Sequence, residues 1–401
     1  MAVCAGHAAV SLPSSTAPAY KYSVRRVEEI ATGPTVRPTR AEVDLGAIVA
    51  NARDLAALGA ALYAVVKADA YGHGAVPVAR ALAAEPAVHG LMVSLVEEGL
   101  ELRHAGVRAP VLVMGGAFGS AHRELLESGL TPVVSDAADL DAFARAGTRP
   151  RVHLKVDTGM SRLGISLAEL PALLDRAGGV ELVGLATHLA CADGDDPAPT
   201  LLQLDRFARA ADLLRARGLT PELHVANSAG ALRFPAARLS AIRAGIALYG
   251  GGPAGAPDRQ ALRLVTAIVQ LRSIAAGDAV SYGALYRATR PTRVATLPIG
   301  YADGYPRRLS LPGAGAEVLV RGQRCPVLGA ICMDMTMVDV SALGGDVGLG
   351  EEAVLLGAQG AERITMRELA DRAGLIEYEI PCGVSKRVPR AFLGAPVEPR
   401  R

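Results

Sequence analysis

The chain has 401 residues, half of them hydrophobic and 20% charged, without tryptophan, so it can bury a sizeable core and has the length of about two domains. Its 42 lysines and arginines nearly balance 40 aspartates and glutamates, and a net charge of +2 gives no global field to draw in nucleic acid or a membrane surface. Five cysteines at irregular spacing, with no CxxC pair, suggest neither a disulfide framework nor a metal site such as zinc; a reducing, cytoplasmic setting and small-molecule chemistry are what these bounds leave.

The first twenty residues, MAVCAGHAAVSLPSSTAPAY, place no basic residue before a short, broken apolar segment. They read as part of a disordered extension over residues 1–36 rather than a secretory signal, although a cleaved signal would change the compartment. No apolar run approaches the roughly 20 residues that span a bilayer.

From residue 37 short apolar runs alternate with segments of helical period: ALYAVV (61–66), HGLMVS (89–94), PVLVMG (110–115), LTPVVS (130–135), RVHLKVD (151–157), VELVGLATHL (180–189), PELHVAN (221–227) and LSAIRAG (239–245). Between them AVPVARALAAE, EEGLELRHAG, DAADLDAFARAG and SLAELPALLDRAGG repeat apolar residues every three or four positions and often stop at glycine. Eight such units predict an α/β chain whose residues 37–257 form a (β/α)8 TIM-type barrel, with an open doubly wound sheet as the alternative. A Gly/Pro-rich break at 248–258 follows. Beyond it RLVTAIVQLRSI, RVATLPIG, AEVLVRG, CPVLGAICM, MTMVDV and AVLLGA predict a second, mainly β domain over 258–401, with one strong helix at 365–374.

Barrel enzymes place their chemistry where strands end. Lys67 closes the first run, Lys155 and Asp157 the fifth with Arg162 just beyond, His188 the sixth, Asn227 and Ser228 the seventh, and Arg243 lies on the eighth. A lysine after a strand is more often solvated than catalytic. Lys67, however, lies between two valines and the loop residues Tyr71, Gly72, His73 and Gly74, which let backbone approach a ligand. His188 is read equally well as a satisfied core histidine. Ser228 either caps the next helix or joins Gly245 and Ile246 in a phosphate seat. A lysine able to form a Schiff base, set across from a phosphate seat, suggests pyridoxal phosphate, a carbanion sink.

Nine stretches then occur in order across both domains: AVVKADAYGHG (64–74), LKVDTGMSRLG (154–164), THLACAD (187–193), HVANSAG (224–230), RAGIALYG (243–250), VSYG (280–283), ATLPIGYADGYPR (295–307), ICMDM (331–335) and YEIPCGVSKRVPR (378–390). Together, from about Arg37 to Phe392, they resemble the alanine racemases. The resemblance implies that Lys67 carries pyridoxal 5'-phosphate and that Tyr71, Ser228, Gly245, Ile246 and Tyr378 hold its phosphate. It implies that Arg243 faces the pyridine nitrogen, that His188 and Asn227 support the cofactor, and that Arg162 contacts it and the substrate carboxylate. Lys155 resembles the family lysine that is often carbamylated, which would orient Arg162 through charge-assisted bonds.

The resemblance also supplies a reaction. Racemisation takes a proton from one face of the substrate and returns one to the other, so two acid/base groups are needed, Lys67 for D-alanine and Tyr282 for L-alanine. A tyrosine packed in a sheet is the ordinary reading of Tyr282, and a basic role needs nearby positive charge, since tyrosines titrate near about 10. In the family this tyrosine reaches the active site of the other subunit, which implies a head-to-tail homodimer with composite sites. Asp193, Tyr301 and Arg307, with Tyr378, resemble the access channel, and Met333 a substrate contact. Two departures stand out: Ala330 replaces a frequent arginine before ICMD, and Asp69 replaces an asparagine. The first puts channel selectivity in question rather than chemistry. A racemase for serine or basic amino acids, a noncatalytic carrier of the cofactor and a decarboxylase of similar architecture are the alternatives; the VSYG stretch disfavours the last two.

Overall fold

The computed structural model describes Ile30–Ala31 and residues 36–394. Eight parallel strands occupy the eight apolar runs: Ala61–Val65, Val88–Val93, Val111–Val113, Thr131–Val134, Arg151–Lys155, Glu181–Ala186, Glu222–His224 and Ala241–Ala244. The first pairs with the eighth as well as with the second. The seam between seventh and eighth is closed by Ser240 N–H to the Leu223 carbonyl (3.0 Å) and Arg243 N–H to that of Ala226 (2.9 Å). This closure excludes the open sheet.

Leu91, Met92 and Val93, and likewise Val111, Leu112 and Val113, are buried without alternation, because side chains fill the barrel inside and helices cover it outside. Helix Ala75–Ala83 turns Val78, Ala79 and Leu82 onto the barrel, the three-and-four spacing of an amphipathic helix. The helix Ala137–Arg145 starts where Asp136 accepts the Asp139 N–H at 2.8 Å.

The second unit is built on a mostly antiparallel sheet around Leu262–Ala267, flanked by Glu352–Gln359 and Arg40–Asp44. Arg40–Asp44 lies inside the span expected for the barrel, yet it pairs here, parallel to Arg390–Leu393. Glu42 on it receives Arg263 from the neighbouring strand at 2.6 Å. Such a union of segments more than 200 residues apart has no local signature. Ile30–Ala31, within the expected extension, adds a two-residue strand to the same sheet; residues 1–29 and 32–35 of that extension lie outside the described residues. A three-stranded sheet, Gln270–Ile274, Thr292–Leu297 and Thr336–Asp339, and a hairpin, Ala279–Val280 with Tyr286–Arg287, complete the unit. The expected helix at 365–374 forms as Met366–Ala373, capped by Thr365 and ended by Gly374 in the left-handed region. Among the described residues no helix is long and apolar enough to cross a membrane.

Candidate active site

Directly after the first barrel strand the chain makes a left-handed helical turn: φ is +52° to +54° at Ala68, Asp69, Ala70 and Tyr71 and +79° at Gly72. For L-residues this costs about 1–2 kcal/mol each, so surrounding bonds must hold it. They are present. Glu98 accepts the Ala68 N–H (2.6 Å) and the Ser94 and Leu95 N–H groups, tying the turn to the end of the second strand. The Asp69 carboxylate accepts from Ala75 N–H. His73 Nδ1 lies 3.0 Å from both the Ala70 and Tyr71 carbonyl oxygens, and facing two acceptors it must carry the proton. Arg390, from the last strand of the β unit, donates to the Gly72 carbonyl through two nitrogens.

The turn delivers Lys67 to a cavity of about 250 Å³ at the barrel mouth, whose wall also carries Lys155, Arg162, His188 and Arg243. Among the described residues four cationic side chains and no carboxylate line it. Burial lowers the Lys67 ammonium from its ordinary range, with help from Arg162. Lys155 is pushed down to about 8 by burial first, then by Arg162 and Arg243. His188 is held neutral by burial and by Arg243. The site thus favours free amines and asks for negative charge.

Arg243 is 6% exposed. One terminal nitrogen donates to the backbone carbonyl and Nδ1 (3.1 Å) of His224, the other to the carbonyls of Thr187 (2.7 Å) and Val225 (3.1 Å). None of these acceptors is a carboxylate. Among the described residues its Nε has no protein partner, which leaves one fixed donor for a ligand in the cavity.

Beside the cavity lies the expected phosphate seat. Asn227, not Ser228, caps helix Ser228–Arg233, accepting from Gly230 N–H at 2.8 Å. Ser228 Oγ instead accepts from Gly245 N–H at 2.9 Å. The Tyr71 hydroxyl lies over Gly245 so closely that a Cβ there would come within 2.4 Å of it, and Tyr378 packs at 5.9 Å from the Tyr71 ring. Ile246 follows Gly245 as the first residue of a 3-10 turn. A hydroxyl pair over a glycine backbone, next to a lysine and an arginine whose Nε lacks a protein partner, fits a phosphorylated aldehyde.

The remaining expected residues are elsewhere. Tyr282 lies in the hairpin loop of the β unit, 72% exposed and off the cavity wall. Ser281 before it has φ +65° and donates from Oγ to the Ala330 carbonyl at 2.6 Å, joining this loop to the segment before strand Thr336–Asp339 that carries Met333. Tyr301 N–H bonds the Cys332 carbonyl and Ala302 N–H that of Met333, and Tyr282, Tyr301, Met333 and Arg307 are all exposed. Asp193 is exposed and raises the Tyr378 phenol, after burial, to about 12. Sequence reasoning missed Glu98 and Arg390 and assigned His224 no role. All three lie in or near legible motifs, but their bonds join segments that only the fold brings together.

These features define a class: enzymes that hold a lysine-bound cofactor at the mouth of a (β/α)8 barrel and add a β domain. Residues 43–253 match the family of the alanine racemase N-terminal domain and residues 261–392 that of the C-terminal domain. An alanine racemase of Sorangium cellulosum is 45% identical over 381 residues, covering 89% of this chain and 99% of that protein. One of Symbiobacterium thermophilum is 46% identical over 374 residues, covering 90% and 98%. The solved alanine racemase of Streptomyces coelicolor A3(2) superposes with a TM-score of 0.83 at 37% identity, covering 90% of this chain and 99% of that one. The chain belongs to the alanine racemase family: it is an isomerase, and the family's reaction is the pyridoxal-phosphate-dependent interconversion of L- and D-alanine.

Proposed function

We propose that this chain binds pyridoxal phosphate through Lys67 and racemises alanine with Lys67 and the Tyr282 of a second copy as the two acid/base groups. The observation that carries this is the cavity wall: among the described residues four cationic side chains, three with lowered pKa values, and no carboxylate around a strand-end lysine. Tyr71, Ser228, Gly245, Ile246 and Tyr378 would hold the phosphate, with His188 and Asn227 beside the ring and Arg243 Nε at its nitrogen. When bound, the cofactor supplies a sink for the electron pair left at the substrate α-carbon.

The chain's own groups do the rest. Arg162 holds the substrate carboxylate, which fixes the α-carbon between the two faces. The lowered pKa of Lys67 makes its free amine available to take the α-proton of D-alanine. The phenol of Tyr282 serves the opposite face. Because Tyr282 is exposed and away from its own chain's cavity, the reading requires a head-to-tail homodimer; Tyr301, Arg307 and Met333 arrive with it, while Asp193 and Tyr378 line the approach. A carbamate on Lys155 would supply the missing negative charge beside Arg162. The product would be D-alanine for peptidoglycan in a cytoplasmic setting.

The test is incubation of the purified protein with L-alanine, L-serine or L-lysine in deuterated water, following optical rotation and α-deuteration. Alanine fastest, with deuterium at the inverted centre, is expected. Release of carbon dioxide, no turnover, or a preference for another amino acid overturns the proposal.

A further inference from the structure

We propose that His153 is a positioning residue for Arg243, fixing through His224 the ring tautomer against which the guanidinium is set. This rests on the reading of Arg243 as the partner of the cofactor's ring nitrogen.

A guanidinium has five donors and no acceptor. Arg243 points one terminal nitrogen at His224 Nδ1 (3.1 Å), so that nitrogen must be bare and the single proton of a neutral ring must sit on Nε2. His224 Nε2 lies 2.8 Å from His153 Nδ1. Since Nε2 carries the proton, it donates and His153 Nδ1 accepts, which places the His153 proton on its own Nε2. The Nε2–H tautomer is thus the form of His224 that meets a donor-only neighbour at Nδ1 and has an acceptor, His153 Nδ1, for its own proton. Both rings are buried, and burial with the nearby arginines keeps both neutral.

The place for His153 is built into the barrel. It stands on the fifth strand opposite Gly184 on the sixth, and a Cβ at Gly184 would come within 1.9 Å of His153 Nδ1. Only a glycine leaves room for the ring. The two imidazoles meet edge to face at 5.0 Å, and Tyr63 packs against both, its hydroxyl held by Glu222 at 2.7 Å. Without His153, the Nε2 proton of His224 would be buried with no acceptor, and the other tautomer would aim an N–H at Arg243. Either way Arg243 loses its fixed neighbour.

Two measurements test this on the full-length protein. In the cofactor-free chain, 15N spectra of histidine-labelled protein are expected to show His224 protonated at Nε2. That tautomer should persist in His153→Asn, whose amide oxygen replaces the Nδ1 acceptor, and be lost in His153→Leu. In the cofactor-loaded enzyme, His153→Leu is expected to raise pyruvate release, with the amino group left on the cofactor, about tenfold relative to D-alanine formation; His153→Asn should restore the wild-type ratio. A wild-type His224 protonated at Nδ1, or an unchanged tautomer in the leucine variant, overturns the inference, and the first of these needs no variant to fold. An intact tautomer in a protein that does not racemise alanine would instead overturn the reading of the site while leaving the relay standing.

Discussion

Lys155 faces Arg162 and Arg243 across a cavity wall without a carboxylate, and its amine responds to pH accordingly. Its folded pKa of about 8 lies below the ordinary 10.5, so the unfolded chain binds more protons between those values and this group's contribution to stability rises with pH across that window. Lys155→Met is therefore expected to raise the urea midpoint at pH 7 and to lose that advantage towards pH 10. At pH 7 roughly a tenth of the amine is neutral and able to take up carbon dioxide. Bicarbonate should add the mass of one carbon dioxide at Lys155, increasingly as pH climbs through about 8, in peptides mapped by mass spectrometry.

Tyr282 gives a second test at the same scale. Enantiomers have equal free energies in water, so kcat/KM must be the same in both directions, and losing either base lowers both. Tyr282→Phe is expected to lower each by roughly 10²–10⁴-fold. Deuterium then separates the bases: D-alanine should still exchange its α-proton through Lys67 without inverting, whereas L-alanine should not. Exchange of L-alanine by that variant would remove Tyr282 from its role.

Among the elements, the left-handed turn after the first strand carries the strain of the site. Its conformation survives because Glu98, His73 and Arg390 satisfy its polar groups, while Asp69 ties it to the N–H of Ala75. His73→Phe would keep the stacking on Tyr249, now 4.4 Å between ring centroids, but would take the ring donor from the Tyr71 carbonyl and leave the Ala70 carbonyl with only the backbone N–H of residue 73. A loss of about 1–3 kcal/mol is expected in denaturant unfolding. Cofactor affinity, followed by visible absorbance, should weaken with it, because Lys67 and Tyr71 sit on this turn. An alanine at Gly72 should do more harm, since its Cβ would come within 2.0 Å of the Pro381 carbonyl oxygen at a φ of +79°.

At the scale of the whole molecule, the separation of Tyr282 from the lysine cavity makes a prediction about assembly. Mixing Lys67→Ala with Tyr282→Phe should restore activity, because one of the two sites in each mixed dimer would join an intact lysine to an intact tyrosine. With free exchange, half the dimers are mixed and half their sites complete, so about a quarter of wild-type activity is expected. No recovery, with mixed dimers confirmed by mass, would place both bases in one chain.

The eight apolar runs determined the barrel strands, because a strand buried on both faces must be apolar throughout, and that signal is local. Lys67, Lys155, His188 and Arg243 were legible for a related reason: an ionisable group at or near the end of such a run is carried to the barrel rim, where the strands stop. Local sequence could not place Arg40–Asp44, whose pairing with Leu262–Ala267 and Arg390–Leu393 depends on partners more than 200 residues away. Nor could it show that Asn227 would take the cap and free Ser228 for Gly245, or that the KADAYG turn would run left-handed through two alanines and a tyrosine, which have no such preference of their own. The turn is held by bonds from Glu98 and Arg390 and Ser228 by the Gly245 N–H, and such contacts exist only once the barrel has closed.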